Sequence, residues 1–270
     1  MTRRRAPASP PAPRDGEDQE LLRLAAELNL GSLTEEGALA RLLAEAEQQG
    51  VSYTDFALSL LRAETTQRVQ KRVARGLRRA GLGPEVTLEG FDYSIRPGLS
   101  ARTLNELLRC RFVGEKRGLV CVGAPGLGKT RVCRAIGHAA CRLGYSVVYK
   151  HTALVLEELA AAHVDGSYRR TLRRYAKVAL LILDEFGYMG FDRGAARHLF
   201  RLVSERYERG STVVAANTGF KRWKTFFPSE AECVATVDRL VDKATILRFS
   251  GKPYRGPQET HGAPLDGDDK

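Results

Sequence analysis

The sequence feature that most constrains the fold is a glycine loop, GAPGLGKT, at residues 123–130. It fits the pattern G-x-x-x-x-G-K-[ST], a loop whose glycines allow backbone N–H groups to turn toward a phosphate. The apolar run at residues 118–122 predicts a buried strand before the loop, and residues 131–143 predict a helix after it. Strand, loop and helix therefore follow one another in the order that a phosphate site at a helix N-terminus requires.

The loop also predicts how a nucleoside triphosphate would be held. Lys129 would reach the β- and γ-phosphates, and the hydroxyl of Thr130 would bind Mg²⁺. A glycine-rich turn that binds nothing is the alternative, and it is disfavoured because every motif position and both flanks match. The predicted ATP-binding residues are Gly123, Ala124, Pro125, Gly126, Leu127, Gly128, Lys129, Thr130 and Arg131.

A second nucleotide signature follows the apolar run at residues 179–183, which predicts a strand that ends in Asp184 and Glu185. Asp184 would hold Mg²⁺, and Glu185 would orient and deprotonate the attacking water. Asn217 ends the next predicted strand, residues 211–217, and would hold the same water against the γ-phosphate. Taken alone, an asparagine at a strand end is more often a turn residue.

Arg239 is a further catalytic candidate, although it lies far along the chain from the glycine loop. An arginine that reaches the γ-phosphate of a neighbouring subunit would neutralise charge in the transition state. A salt bridge on a helix surface, with Asp238 or Asp242, is the alternative. The sequence leaves both interpretations open.

The charge of the chain indicates a polyanionic partner. Lys and Arg number 43 against 32 Asp and Glu, a net charge of +11, and nucleic acid is the first candidate. The cations are grouped on one face of a predicted helix at residues 167–177 and on one face near the end of a long predicted helix that reaches residue 79. A solvated helix surface is the alternative for both groups. The candidate DNA-contacting residues are Arg68, Lys71, Arg72, Arg75, Arg78, Arg79, Arg169, Arg170, Arg173, Arg174 and Lys177.

Composition narrows the class of protein further. The five cysteines include no C-x-x-C pair, so we expect buried free thiols and a cytoplasmic location with a reducing environment. No apolar run approaches the roughly 18 residues of a membrane span, so no membrane partner is expected.

The pattern of helices and strands predicts the domain organisation. Residues 19–82 are helical in pattern, with possible helix starts at Ser32 (Glu35 three residues later) and Ser52 (Asp55 three residues later). Strands and helices then alternate, which favours a parallel α/β sheet. We predict a disordered, basic and proline-rich tail at 1–18, a helical N-terminal domain at 19–82, a nucleotide-binding domain at 83–255 and a disordered tail at 256–270.

Together these residues resemble the AAA+ ATPases of the IstB/DnaC clade, and most closely the IstB-like proteins. The resemblance covers about residues 21–255, and its most specific segments are LLILDEFGY and the downstream SERYERGS. It implies an α/β P-loop NTPase fold of the AAA+ type, with a parallel sheet flanked by helices and preceded by a small all-α domain. It also implies Walker A at Gly123–Thr130, Walker B at Asp184 and Glu185, sensor 1 at Asn217 and an arginine finger at Arg239.

The same resemblance implies a function. Such a protein would be an ATPase that uses ATP and Mg²⁺, assembles on duplex DNA as a ring or helical filament of identical subunits, and assists a transposase encoded nearby in target selection and strand transfer. The helix at 167–177 falls where the clade carries a DNA-facing insertion. Two features depart from the family pattern: Leu127 replaces the commoner threonine, and little sequence follows Arg255, which leaves no room for a helical lid. Arg255 matches the late arginine of the family, and whether it acts as a sensor stays open.

Two other functions remain open at this stage. One is a replicative helicase loader of the same clade. The other is a nucleotide-gated DNA-binding scaffold with little ATP turnover.

Overall fold

The first part of the chain is helical throughout its described residues. The computed structural model describes residues 15–35, 37–93 and 99–251, and the chain divides into two units, Met1–Ala74 and Arg75–Lys270. The first unit contains α1 (Asp15–Glu27), α2 (Gly31–Thr34), α3 (Ala38–Gln49) and most of α4 (Tyr53–Ala80). The predicted boundary after residue 82 stays a prediction. Of the predicted tails, 1–14 and 256–270 lie outside the described residues, as does Arg255.

Hydrogen bonds explain where two of these helices begin. The Ser52 hydroxyl accepts the Asp55 N–H at 3.1 Å and donates to Asp55 Oδ2 at 2.7 Å, so the predicted start of α4 is confirmed. The start predicted at Ser32 is wrong, because α3 follows Gly37 instead, whose φ is +70°. Both the N–H and the hydroxyl of Ser32 donate to the buried Glu64 at 3.0 Å. A buried carboxylate needs such donors, and it therefore overrides the local capping pattern.

The second unit carries the predicted alternation of strands and helices. Its sheet consists of the strands β1 (Leu119–Gly123), β2 (Val147–His151), β3 (Leu180–Phe186), β4 (Ser211–Ala216) and β5 (Thr245–Phe249). Their order across the sheet is β2-β3-β4-β1-β5, and all four strand pairs are parallel. The α/β fold is thereby confirmed, and the strands predicted at 118–122, 179–183 and 211–217 form within three residues of those bounds. In chain order the elements are α5 (Ala101–Leu108), α6 (Arg111–Gly114), β1 (Leu119–Gly123), α7 (Lys129–Arg142), β2 (Val147–His151), α8 (Thr152–Val164), α9 (Tyr168–Ala176), β3 (Leu180–Phe186), α10 (Arg193–Arg206), β4 (Ser211–Ala216), a 3-10 helix (Phe220–Phe226), α11 (Glu230–Val241) and β5 (Thr245–Phe249).

Helices cover both faces of this sheet, which explains why its central strands are apolar at nearly every position. On β1, Leu119 and Cys121 pack on the face that contains α5 and α7. Val120 and Val122 point to the opposite face, which contains α8, α10 and α11. The carboxyl ends of all five strands consequently share one edge of the sheet, and ligands of parallel α/β sheets bind at that edge.

The pairing of β3 with β4 is irregular at the carboxyl end of β3. The register shifts between Leu183 and Phe186, and Glu185 has a φ of +53°, in the left-handed region. The Glu185 side chain is exposed, whereas Asp184 and Phe186 on either side are buried. Because of this irregularity, the carboxylate of Asp184 is buried while that of the next residue, Glu185, faces solvent.

A buried guanidinium holds three segments of the second unit together. Arg206, at the end of α10, is 1% exposed. It donates to the carbonyl oxygens of Tyr175, Ala176, Val178 and Ser211 and to the hydroxyl of Thr212. Burial lowers the pKa of Arg206 to about 10, so the side chain remains charged at neutral pH. These bonds fix the end of α9 and the start of β4 to the same point.

All five cysteines are buried free thiols, as the sequence predicts. Burial raises the pKa of Cys110 and of Cys141 to about 11. Among the described residues, no helix has both the length and the apolar composition that crossing a membrane would require.

We expect the folded protein to react very slowly with a thiol-specific disulfide reagent at pH 8. A thiol of pKa about 11 is ionised in only about one molecule in a thousand at that pH, and the thiolate is the reactive form. Counting the released chromophore before and after adding denaturant checks this. All five thiols should react only after unfolding, and rapid reaction of the folded protein would contradict the burial described here.

Candidate functional site

The glycine loop joins β1 to α7 at the carboxyl edge of the sheet. Gly126 and Gly128 have φ values of +76° and +92°, which side chains disfavour. A Cβ on Gly123 would lie 2.2 Å from the carbonyl oxygen of Phe249, so only glycine fits beside β5. The first N–H groups of α7 have no partner within the helix and point toward the loop. With the helix dipole, they provide an anion site.

Lys129 is folded back onto this loop. Its Nζ donates to the carbonyl oxygens of Gly123 at 2.8 Å and Ala124 at 2.7 Å, and the residue is buried. Burial lowers the pKa of Lys129, and the negative charge of Asp184 opposes that effect. The ammonium is thus held at the mouth of the loop by two carbonyl oxygens that a phosphate would replace.

Arg131 and Leu127 contact protein rather than the open side of the loop. The Arg131 guanidinium donates to the carbonyl oxygens of Thr87 (3.0 Å) and Glu89 in the segment that precedes α5. Leu127 is buried in the core under the loop, which explains how an apolar residue is tolerated at this motif position. The predicted contact between Arg131 and ATP stays a prediction, while its observed contact fixes residues 87–89 beside α7.

Asp184 lies at the end of β3 with both carboxylate oxygens engaged. The Tyr149 hydroxyl donates to Oδ2 at 2.7 Å, and the Glu185 N–H donates to Oδ1 at 2.9 Å. Burial, reinforced by the hydrogen bond to Asp184, raises the pKa of Tyr149 far above its ordinary value. The phenol therefore remains a donor, and it fixes the orientation of this carboxylate.

Glu185 has a different partner. Its Oε2 lies 2.8 Å from Nδ1 of His151, the last residue of β2, and both side chains are close to half exposed. The next residue, Thr152, begins α8 and donates its hydroxyl to the carbonyl oxygen of Asp184 at 2.8 Å. The carboxylate predicted to act as base is therefore held by an imidazole in this structure.

Asn217 follows β4, on the strand adjacent to β3. It is half-buried, and the neighbouring Thr218 accepts a hydrogen bond through its carbonyl from the Trp223 indole at 3.0 Å. The Trp223 ring centroid lies 4.8 Å from that of Phe186, which directly follows Glu185. One aromatic cluster thus supports the ends of β3 and β4 together.

The residues present fit a magnesium nucleotide. The Thr130 hydroxyl is exposed at the start of α7, and the Asp184 carboxylate is a hard oxygen donor. Among the described residues no cluster of three metal-ligating side chains occurs. Mg²⁺ bound with a nucleotide takes one or two protein oxygens and completes its shell with phosphate and water.

Arg239 lies on the other side of the sheet from the glycine loop. It lines a surface pocket with Gly118 and Thr212, which stand at the amino ends of β1 and β4. The five residues of β1 separate that edge from the loop by about 16 Å. The guanidinium donates to the Ala235 carbonyl at 2.7 Å and stacks 4.9 Å above the Phe200 ring. Among the described residues it has no ion pair, so the alternative, a salt bridge to Asp238 or Asp242, does not form.

The basic face of α9 is exposed, as predicted, and its opposite face contributes the buried Leu172 and Tyr175 to the core. One carboxylate beside this face, that of Glu158, was not predicted from the sequence. Glu158 of α8 binds Arg174, Lys150 and the Tyr175 hydroxyl, so Arg174 is engaged by the protein itself. The other four cations of this face are Arg169, Arg170, Arg173 and Lys177.

The second basic face, on α4, is also exposed, and it too has a partner that the sequence did not indicate. Arg68 binds the buried Glu64 one turn earlier and donates to the Asn29 carbonyl at 3.1 Å. Arg68 is therefore committed to the helical unit. The remaining candidates on α4 are Lys71, Arg72, Arg75, Arg78 and Arg79.

The positioning residues Tyr149, His151, Thr152 and Trp223 were not predicted. His151 pairs with Asp184 in the β2–β3 register, so it lies beside the site only because β2 and β3 are neighbours. A polar residue at the end of each strand is the signal that could have identified His151. Nothing local marks Trp223, whose position depends on the fold of residues 217–227.

Solved structures with the same fold share little sequence with this chain. The crystal structure of DnaI has a TM-score of 0.51 and 19% identity, and the match covers 62% of this chain and 92% of DnaI. AMPPCP-bound DnaA from Aquifex aeolicus gives a TM-score of 0.51 and 19% identity, over 63% of this chain and 51% of DnaA. The fold and the glycine-loop site define a P-loop NTPase of the AAA+ class that binds ATP.

The chain belongs to the family of IstB-like ATP-binding proteins, whose family model matches residues 23–262. A candidate ATP-binding protein of insertion sequence IS21 from Pseudomonas aeruginosa is 32% identical over 214 residues, which is 79% of this chain and 81% of the relative. A candidate ATP-binding protein of an IS21-like insertion sequence from Bacteroides fragilis is 30% identical over 237 residues, 88% of this chain and 89% of the relative. The resemblance noted in the sequence is confirmed.

Proposed function

We propose that this protein hydrolyses ATP between identical subunits assembled on duplex DNA, and that the assembly assists a transposase. The observation that carries the proposal is the placement of Arg239 at the amino edge of the sheet, opposite the edge that carries the glycine loop, with no ion pair to any carboxylate among the described residues. The basic balance of the chain and the exposed cations of α9 support the DNA partner. The insertion-sequence context of the relatives supports the transposase.

In this proposal each residue at the carboxyl edge has one role. The loop N–H groups and Lys129 bind the β- and γ-phosphates. Thr130 and Asp184 hold Mg²⁺, which would neutralise charge on the phosphates, and Tyr149 orients Asp184. Glu185, released from His151, accepts the proton of the attacking water, while Asn217 orients that water.

Arg239 would complete the site of the next subunit. An arginine that meets the γ-phosphate stabilises charge in the transition state, and the roughly 16 Å across β1 excludes the subunit's own phosphates. The partners of the guanidinium in this structure are a carbonyl oxygen and an aromatic ring, and it forms no ion pair among the described residues. Hydrolysis would therefore require at least two subunits, arranged head to tail in a ring or a helical filament.

The exposed cations of α9 would contact phosphates of the duplex. We expect replacement of Arg169, Arg170 and Arg173 by alanine to weaken DNA binding and to reduce the slope of log affinity against log salt. Each lost phosphate contact removes about 0.9 from that slope, so the triple variant should lose at most about 2.7. Binding titrations at several salt concentrations, with a non-hydrolysable ATP analogue, measure this.

A charge-matched control separates direct contact from net charge. Arg109, Arg117 and Arg209 are exposed, and each already pairs with a carboxylate. Replacing these three removes the same charge elsewhere and should change the slope much less. If the two triple variants gave the same salt dependence, α9 would not be the DNA surface.

One observation favours the scaffold with little turnover. Glu185 is bound to His151 in this structure, so hydrolysis requires that contact to be broken. Steady-state ATP turnover with and without duplex DNA distinguishes the two functions: turnover that rises with DNA supports the ATPase, and negligible turnover under both conditions supports the scaffold. A helicase loader would bind a replicative helicase instead of the transposase, and a pull-down with both candidates separates these two.

A further inference from the structure

The loop that follows β3 carries two of the most exposed apolar side chains of the second unit. Tyr188 is 72% exposed and Met189 is 81% exposed. They follow Glu185 within four residues and form the tip of a turn between Gly187 and Gly190. The proposed ATPase cycle uses neither side chain, although Tyr188 ends the distinctive segment LLILDEFGY and Met189 follows it directly.

This tip is held in place rather than loose. Gly187 has a φ of +73°, and a Cβ there would lie 2.0 Å from the Phe226 ring, so the turn sits directly on the 3-10 helix. The Phe191 N–H donates to the Phe226 carbonyl at 2.6 Å, and the Tyr188 N–H donates to the Glu185 carbonyl at 3.2 Å. Under the turn, Phe186 and Phe191 pack on Phe226. Two exposed apolar side chains therefore project from a rigid aromatic base.

The 3-10 helix that supports the tip is basic on its outer side. Lys221, Arg222 and Lys224 are exposed, and the nearest, Lys224, is two residues from Phe226. At about 2 Å of rise per residue, all three lie within roughly 10 Å of the point where the turn rests. None of them pairs with a carboxylate among the described residues. The nearby Asp192 is used as a cap, because it accepts the Ala195 N–H at 2.7 Å.

We propose that Tyr188 and Met189 form an apolar wedge that enters a base step of duplex DNA, while Lys221, Arg222 and Lys224 bind the flanking phosphates. Apolar side chains inserted between base pairs unstack the step and bend the duplex, and they read no particular sequence. This inference rests on the proposed binding of duplex DNA and adds a second contact surface that is distinct from α9. It also makes deformation of the duplex a property of the loop that follows the catalytic carboxylates.

The size and charge of the surface favour DNA over a protein partner. Two side chains are far too few to form a stable protein interface, which needs about 800 Å² on each partner. Three cations lie beside the tip, and none of them pairs with a carboxylate among the described residues, which favours a polyanion as the occupant of this surface. A duplex carries one phosphate charge per about 1.7 Å of helix axis, and the cations beside the wedge would meet this dense negative charge.

The test compares two sets of variants of the full chain on duplexes that contain a fluorescent base analogue, which brightens when it is unstacked. We expect Tyr188→Ala with Met189→Ala to abolish the brightening and to weaken affinity roughly tenfold, the effect of one lost stacking contact. The salt slope should stay unchanged, since apolar contacts release no counterions. Replacing Lys221, Arg222 and Lys224 by alanine should instead lower the slope by up to about 2.7.

Two further variants guard against misfolding and non-specific effects. Tyr188→Phe with Met189→Leu keeps the apolar volume and should brighten the analogue like the parent. Tyr53→Ala with Leu143→Ala removes two exposed apolar side chains elsewhere and should also resemble the parent.

The outcomes separate this inference from the proposed function. If the parent binds and unstacks DNA but the wedge variant does so equally well, the wedge is wrong and DNA binding stands. If the parent binds no duplex, both fail. If the wedge variant unstacks DNA normally but no longer supports the transposase, the tip contacts that protein and the wedge is overturned.

Discussion

Glu185→Gln protein is expected to bind ATP like the parent and to hydrolyse it at least about a hundredfold more slowly, because an amide cannot accept the proton of the attacking water. The substitution keeps the size of the side chain and removes only its basicity. Lys129→Ala should instead lose ATP binding, since it removes the one ammonium that the loop carbonyls hold at the phosphate site. Nucleotide binding by fluorescence titration and phosphate release under steady-state conditions separate the two effects.

A third variant tests whether His151 restrains the carboxylate. His151→Ala frees Glu185 without altering the loop, so ATP binding should be unchanged and any change should appear in turnover.

Near-parental hydrolysis by Glu185→Gln would show that another group is the base. Loss of binding in that variant would show that Glu185 supports the nucleotide rather than the chemistry.

Arg239→Ala is expected to leave ATP binding by each subunit intact and to reduce hydrolysis by about a thousandfold or more, the usual contribution of an arginine at the γ-phosphate. The length of β1 separates this arginine from the glycine loop of the same subunit, so the arginine must act on the ATP of a neighbouring subunit. Mixing Arg239→Ala with Glu185→Gln protein should therefore restore part of the activity. Some interfaces in the mixture combine an intact Glu185 from one subunit with an intact Arg239 from its neighbour.

The ratio of the two proteins provides the internal control. Random mixing produces the most intact interfaces at equal amounts, so recovered activity should pass through a maximum there and vanish for either protein alone. Parent protein diluted with Glu185→Gln protein shows how far inactive neighbours affect intact sites. Absence of recovery at every ratio would contradict an arginine supplied by the neighbour.

Local sequence was sufficient for the parts of the site whose chemistry and position belong to one segment. The glycine loop and Asp184 follow apolar strands directly, so both were placed correctly at the carboxyl edge. The amphipathic division of α9 was also correct, because a helix face depends only on residues three and four apart. The family resemblance then supplied the AAA+ class, which the family model and the fold confirm.

The sequence did not predict the contacts between segments that are distant along the chain. Glu64 is 32 residues from Ser32, and it replaced the predicted cap with a tertiary hydrogen bond. Glu158 reaches Arg174 from another helix, so a face that reads as uniformly cationic is partly neutralised. The His151–Glu185 contact requires both the neighbouring positions of β2 and β3 and the irregular register after Leu183. None of these is encoded in a local pattern.

The strand order of the sheet has a consequence for how the nucleotide site arises during synthesis. β1 carries the glycine loop, yet it pairs with β4 and β5 and with no strand that is made before residue 211. When the ribosome has synthesised the loop, α7, β2 and β3, the nascent chain still lacks both strands that pair with β1. Contacts so distant in sequence form late, because closing the intervening loop costs entropy before the contact is gained. We therefore expect the nucleotide site to be completed only after the chain has been made through β5, since β1 has no neighbour in the sheet before β4.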